Sequence, residues 1–214
     1  MAYRVLLVDD HAVVREGVRR LLEDCHDIHI VGEASDGDEA IRMARTLLPD
    51  VAVIDLSMPG RDGIEVTRML ASELPKIKVL ILTMHANEDY ALRLLQAGAR
   101  GFVGKGATSS ELLAAVLKVA HGGSYVQPEL LEKLPQRIAN GALQTSPVQS
   151  LSDRELQVLK MLAEGHTGRE IGGILHLSVK TVDTYRARLL AKLSLQTTAD
   201  LIRFALRHHV IEDV

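Results

Sequence analysis

Between Tyr3 and His121, short β-branched apolar runs alternate with longer segments whose apolar residues recur at helical spacing. The runs are Tyr3–Val8, Ile28–Ala34, Val51–Asp55, Val79–Thr83 and Gly101–Gly104, and the helix-period stretches fall near 12–24, 37–47, 63–73, 88–97 and 109–121. Five βα units in succession predict a parallel sheet covered on both faces. Val51–Ile54 and Val79–Leu82 are apolar throughout, as strands buried on both faces require.

After Pro147 the strand signal stops. Ser152-Asp153-Arg154-Glu155 is a capping box that opens a helix running to about Glu164, closed by Gly165. Thr167-Gly168-Arg169-Glu170 opens a second, short helix to about Leu175. Ser178 caps a third, with Val179, Val182, Leu189, Leu190 and Leu193 on one side, and a fourth runs from Thr197 to about Arg207. Short helices joined by tight turns predict an all-α helix-turn-helix domain behind the α/β one. Gly122-Gly123-Ser124, Pro128, Pro135, Gly141 and Pro147 punctuate the stretch between them. The expected domains are therefore 1–122 and 148–214, joined by a linker over 123–147.

Composition narrows the function classes. With 47% apolar and 25% charged residues among 214, the chain is an ordinary globular one. Aromatics are only 3%, a poor basis for recognising single strands or sugars by stacking. The single cysteine, Cys25, can form neither an internal disulfide nor a cysteine-rich zinc site and points to a reducing compartment. No apolar run reaches membrane-spanning length, so a cytoplasmic protein without membrane contact is expected. Residues 1–122 carry a net charge of −4 and 148–214 a net charge of +1.

Candidate chemistry lies at the strand ends. Asp9 and Asp10 close the first strand and Asp55 the third; in the flavodoxin-like doubly wound order 2-1-3-4-5 these strands are neighbours at the topological switch. Lys105 at the end of the fifth strand supplies one positive charge, and the remaining deficit suits an oxygen-loving divalent cation, with Mg²⁺ the natural candidate. Thr83 brings a hydroxyl to the same edge. A carboxylate beside Mg²⁺, an ammonium and a hydroxyl is suited to accepting a phosphoryl group. Asp55 is the best-placed nucleophile, since the turn Met58-Pro59-Gly60-Arg61-Asp62-Gly63 follows it, while Asp9 and Asp10 are better placed to hold metal.

On the third C-terminal helix, Lys180, Thr184 and Arg188 follow one another at four-residue spacing, with Thr181, Tyr185 and Lys192 beside them, opposite the apolar stripe. That is the form of a helix that enters the major groove of double-stranded DNA. Lys192, farthest from the helix start, is expected to contact the backbone. Asp183 puts a negative charge near the start of the same helix, where it can favour the helix dipole beside the DNA, weaken non-specific DNA affinity or accept a hydrogen bond from cytosine N4, with weakened non-specific affinity the favoured expectation.

Asp9-Asp10, Asp55-Leu56-Ser57-Met58-Pro59-Gly60, Thr83 and Gly101-Phe102-Val103-Gly104-Lys105 together resemble the receiver domains of bacterial two-component response regulators. Leu151-Ser152-Asp153-Arg154-Glu155, Val158-Leu159, Leu162-Ala163-Glu164-Gly165, Glu170-Ile171, Leu175, Ser178-Val179-Lys180-Thr181-Val182 and Lys192-Leu193 resemble the LuxR-type helix-turn-helix of the NarL/FixJ subfamily. The resemblance implies phosphorylation of Asp55 by a sensor histidine kinase, with Mg²⁺ held by Asp10, Asp55 and the main-chain oxygen of Ser57 and with Asp9 acting through water. It also implies that Thr83 moves toward the phosphoryl group while the ring of Phe102 turns inward, and that His85 sits at a variable position that tunes dephosphorylation. Homodimerisation on phosphorylation follows, through the first and fifth receiver helices and the last helix of the DNA module, with RNA polymerase a further candidate partner.

Three departures from the pattern stand out. Gly106 follows Lys105 where many receivers have proline, Gly172-Gly173 interrupts the scaffold helix, and Asp183 replaces a frequent lysine. The enzyme alternative is an aspartate-nucleophile, Mg²⁺-dependent phosphatase of the haloacid dehalogenase type. Such enzymes carry an acid/base Asp two residues after the nucleophile, and here that residue is Ser57. A metal-free pseudo-receiver joined to a protein-binding module is disfavoured by the intact carboxylate set.

Overall fold

The computed structural model describes residues 2–58, 60–83, 88–126, 147–208 and 210–211, leaving aside the side chains of 88–90, 92 and 149. The chain divides into two compact units, Met1–Lys133 and Leu134–Val214. The first contains β1 (Tyr3–Val8), α1 (Ala12–Glu23), β2 (Ile28–Ala34), α2 (Gly37–Leu47), β3 (Val51–Asp55), α3 (Gly63–Glu73), β4 (Lys78–Thr83), α4 (Glu88–Ala97), β5 (Gly101–Gly104) and α5 (Ser109–Ala120). Its five strands are parallel in the order β2-β1-β3-β4-β5. β1 and β3 are neighbours, with Val8 opposite Ile54, so the two acidic strand ends leave the sheet side by side.

Alternation along the strands divides the sheet residues between its faces. Val5, Leu7, Val51, Val53, Leu80, Leu82 and Val103 pack with Leu22, Leu112, Val116 and Val119 in one buried cluster beneath α1 and α5. Leu6, Ile54, Ile81 and Phe102, equally buried, occupy the alternate strand positions. Each such side chain contributes roughly 1.5–3 kcal/mol by leaving water. The all-buried β3 is the consequence of its continuous apolar run.

Helix starts are mostly well capped: Asp36, Asp62 and Thr108 accept from the third helical amide of α2, α3 and α5. α1 is different. His11 occupies its N-cap without a side-chain cap bond, where Ser, Asp or Asn would contribute about 1 kcal/mol. Gly63 lets the start of α3 approach the site strand, since a Cβ there would lie 2.5 Å from Asp55 O.

The packing of this unit continues past Gly122. Tyr125 donates its amide to Arg100 O (3.0 Å) and accepts from the Phe102 amide (3.1 Å), so it lies beside β5 as a one-residue parallel bridge. Its ring joins the buried cluster, and the Lys118 ammonium stands 5.9 Å from the ring centre. An aromatic side chain met an open strand edge, and the turn residues Gly122 and Gly123 allowed the return. The remainder of the expected linker, 127–146, lies outside the described residues, as does His85.

In the second unit a 3₁₀ turn (Pro147–Ser150) precedes α6 (Asp153–Ala163), α7 (Gly168–Ile174), α8 (Val179–Leu193) and α9 (Thr198–Arg207). The predicted capping boxes at Ser152/Glu155 and Thr167/Glu170 are both formed, and Thr197/Asp200 makes another. The two hydrogen bonds from Thr197 and the Arg203 guanidinium hold the Asp200 carboxyl down to about 2. Val148, Leu156, Leu159, Ile171, Val182, Leu189, Leu201 and Phe204 form the core. Of the expected stripe on α8, Val182 and Leu189 are buried, Leu190 and Leu193 are half-buried, and Val179 is exposed. Val179 is the first helical residue, at the end of the stripe, near Gly168 of α7. The two scaffold glycines differ: a Cβ on Gly172 would lie 2.7 Å from Leu177 O, whereas Gly173 has open space around it. Among the described residues no helix is long and apolar enough to cross a membrane, and no peptide bond is cis, the one after Lys105 included.

Candidate phosphoacceptor site and DNA-reading helix

Asp9, Asp55, Thr83 and Lys105 converge at the carboxyl edge of the sheet because four strands end there in register. Lys105 Nζ lies 2.8 Å from Asp9 Oδ2 and 2.8 Å from Asp55 Oδ2, with its side chain only 10% exposed. The Lys105 amide donates to Thr83 O (2.7 Å), which fastens the lysine to the end of β4, and the Thr83 side chain is buried. Ser57 folds back so that its amide donates to Asp55 Oδ1 (3.3 Å). Phe102 is buried, two residues before the end of β5.

Burial pushes the Asp55 carboxyl above its ordinary range and the nearby Asp9 charge adds to this, against the pull of Lys105. Burial would lower the Lys105 ammonium, but its bonds to Asp55 and Asp9 outweigh that and hold it above its ordinary value. One ammonium therefore serves two buried carboxylates, with Asp10 beside them. Asp9, Asp10, His11 and Asp55 each bring one donor atom within 4.8 Å of the others. Asp10 Oδ1 is closed off from solvent and makes no aligned hydrogen bond, while Asp9 Oδ2 is met by Lys105. A closed-off carboxylate oxygen without an aligned hydrogen bond, in a cluster of three carboxylates, fits an oxygen-coordinated divalent cation.

His11 is the member of this group that the sequence reading missed. Its amide donates to Asp9 Oδ1 (2.8 Å) and its Nδ1 lies 2.8 Å from Asp10 Oδ1. The available signal was a residue of poor capping ability directly after Asp9-Asp10, just where a helix begins.

On α8, Lys180, Thr184, Arg188 and Lys192 are exposed and Thr181 and Tyr185 half-buried, all away from the buried Val182 and Leu189. Two hydroxyls are engaged locally: Thr184 donates to Lys180 O (2.9 Å), and Thr181 shares a 2.8 Å hydrogen bond with Ser178. The Arg188 guanidinium stands 5.9 Å from the Tyr185 ring centre. Asp183 meets Arg186 at 3.0 Å on the exposed side, so its charge is offset within one helical turn.

Lys192 is set apart from the other five. Its ammonium lies 2.7 Å from Glu155 Oε2 and 3.3 Å from Ser150 O, tying the end of α8 to the start of α6. Glu155 is 4% exposed; burial would raise its carboxyl, but Lys192 and the Ser152 capping bonds together hold it below its ordinary value. A backbone-contacting role expected from helical spacing meets an internal partner that only the packing of α6 against α8 supplies.

Comparison with known proteins covers both units. Residues 5–117 match the family model described as the response regulator receiver domain, and residues 149–205 match that of the bacterial regulatory proteins of the luxR family. The response regulator UvrY of Escherichia coli is 40% identical over 204 residues, spanning 95% of this chain and 94% of that protein. The response regulator GacA of Pseudomonas aeruginosa is 39% identical over 209 residues, 98% of each chain. Among solved structures, RcsB of Salmonella enterica serovar Typhimurium, bound to promoter rprA in the presence of the phosphomimetic BeF₃⁻, superposes with a TM-score of 0.67 at 28% identity, over 95% of this chain and 98% of that one.

Proposed function

The chain belongs to the bacterial response regulators that join a receiver domain to a LuxR-type DNA-binding domain, and on that premise we propose that Asp55 accepts a phosphoryl group from a sensor histidine kinase and so switches DNA binding. The observation that carries this reading is the convergence of Asp55, Lys105 and Thr83 on one buried strand edge beside Asp9 and Asp10. A carboxylate oxygen of Asp55 attacks phosphorus, the bond from phosphorus to the donor's imidazole nitrogen breaks, and that nitrogen keeps the electron pair. Lys105 faces the phosphoryl oxygens and Thr83 moves to hydrogen-bond one of them. Asp10, Asp55 and the Ser57 main-chain oxygen would hold Mg²⁺, with Asp9 acting through water, and the bound ion would add to the neutralisation of the transferring oxygens.

With the hydroxyl of Thr83 drawn to the site, the ring of Phe102, which is already buried here rather than waiting to turn inward, keeps its place, and the altered surface favours a homodimer. Each protomer then brings one α8 to a half-site of double-stranded DNA, a reading supported by the solved structure of the similar RcsB bound to a promoter. Lys180, Thr181, Thr184, Tyr185 and Arg188 form the reading face. Lys192 acts first as a clasp on Glu155 and reaches DNA only by leaving it, a revision of the direct backbone contact read from helical spacing. The protein acts in the cytoplasm as a phosphoacceptor, with at most slow self-dephosphorylation and no turnover of a substrate, and meets RNA polymerase at its promoters.

Incubation with acetyl phosphate and Mg²⁺ tests the reading. Stoichiometric labelling that is abolished in Asp55→Asn, together with tighter operator binding in the labelled protein, is the expected outcome. Full labelling of Asp55→Asn would place the nucleophile elsewhere.

A further inference from the structure

His11 caps nothing on α1, and its ring instead turns to the carboxylates. Nδ1 lies 2.8 Å from Asp10 Oδ1 and 3.4 Å from Asp9 Oδ1, while the His11 amide is itself anchored on Asp9. Asp10 Oδ1 is closed to solvent and has no aligned hydrogen bond, although a nitrogen stands 2.8 Å away. The Asp9 side chain is 6% exposed, and its Oδ2 is met by the Lys105 ammonium at 2.8 Å. At these separations His11 Nδ1, Asp10 Oδ1 and Asp9 Oδ1 have the spacing of neighbours in one coordination shell. For metal–ligand distances of about 2.1 Å, adjacent corners of an octahedron are about 3.0 Å apart and those of a tetrahedron about 3.4 Å.

We propose that His11 Nδ1 is a further ligand of the cation site, which thereby becomes a mixed nitrogen and oxygen site. An all-oxygen set suits Mg²⁺, but one imidazole beside two carboxylates and a main-chain oxygen shifts preference toward borderline first-row cations of the Co²⁺ and Zn²⁺ class. The ring is 64% exposed, so its approach needs no rearrangement of the core. This receiver therefore accepts a transition cation in place of Mg²⁺, with His11 as the residue that determines specificity. The inference rests on the reading of Asp9, Asp10 and Asp55 as the cation site.

Calorimetric titration of the full chain with Mg²⁺ and with Co²⁺, alongside the visible spectrum of bound Co²⁺, tests it in the wild type and in His11→Ala, His11→Ser and Asp10→Asn. Because the chain has nine histidines, binding that survives in Asp10→Asn defines the background. In His11→Ala the Co²⁺ affinity should fall at least about tenfold, the Mg²⁺ affinity should change by less than about threefold, and the Co²⁺ bands should shift as nitrogen is lost. His11→Ser, which can cap α1, should lose Co²⁺ affinity equally while keeping or raising thermal stability, separating ligand loss from unfolding. If Co²⁺ and Mg²⁺ affinities fall together, His11 only orients Asp10 and the proposal is overturned; an unchanged Co²⁺ affinity overturns it too. Undiminished binding of both cations by Asp10→Asn would instead remove the carboxylate site itself, and this proposal with it.

Discussion

At the carboxyl edge of the sheet Asp9 and Asp55 are buried and share one lysine, whereas on α8 Lys180, Thr184 and Arg188 stand open to water. Burial makes the first set interdependent: in a poorly polarisable surround, removal of one charge leaves another uncompensated, so stability and function change together. Exposure makes the second set independent, since water screens each group and a substitution is felt chiefly when DNA arrives. Lys192 crosses this division. Its spacing on the helix places it with the readers, yet its contact with the buried Glu155 gives it the energetics of the first set.

Lys105→Met should produce the largest effect. It leaves Asp9 and Asp55 facing each other without their shared cation and should cost about 3–5 kcal/mol in metal-free buffer at pH 7. Because burial raises the folded-state pKa of Asp55, the carboxyl takes up a proton more readily folded than unfolded, and stability falls as pH rises above about 4, its unfolded value. The deficit of Lys105→Met should grow in the same direction and shrink when Mg²⁺ is added. Urea unfolding with and without Mg²⁺ measures both; wild-type stability in the variant would show that the pairing does not hold the site together.

Lys192→Ala should follow, at about 1–3 kcal/mol, because Glu155 stays buried with only its capping partners. The pH dependence has the opposite sign here. The folded Glu155 pKa is depressed, so its stabilisation is complete above the unfolded value of about 4.3 and is lost as pH falls through the folded value. Wild type and variant should therefore converge in acid, and denaturation from pH 7 to 3 reads the difference. A loss of DNA affinity in Lys192→Ala with unaltered stability would return this residue to the reading face.

The adjacent scaffold glycines offer a smaller and sharper contrast. Gly172→Ala should destabilise by about 1–3 kcal/mol, since its Cβ meets a backbone oxygen that cannot swing aside. Gly173→Ala should stabilise by about 0.5–1 kcal/mol, since nothing opposes the methyl. Equal effects in thermal unfolding would mean that helix propensity, rather than the close approach of Leu177, governs both positions.

The smallest effect is expected of Asp183→Asn. Its charge is already offset by Arg186 in an exposed pair of a few tenths of a kcal/mol, so affinity for random DNA should rise only about twofold. A salt titration showing a much larger rise would mean that the pair opens near DNA and that Asp183 repels phosphate after all.

Periodicity was enough to locate the strands and helices, because apolar runs with a period of two or of 3.6 encode which face must leave water. The placement of Asp9, Asp10, Asp55, Thr83 and Lys105 at one edge follows from strand order, and strand order follows from the short connections of a βα repeat. Capping boxes were equally legible, being contacts between residues three apart. What tertiary structure alone decided are the contacts between residues distant along the chain. Tyr125 bridges to the edge of β5, and Glu155 claims Lys192 from 37 residues away. Gly172 is required where Gly173 is not, because Leu177 returns over one of them only. Local spacing specifies which way a side chain points, while the partner it meets depends on how separate elements pack, and that is set by the burial of the whole core.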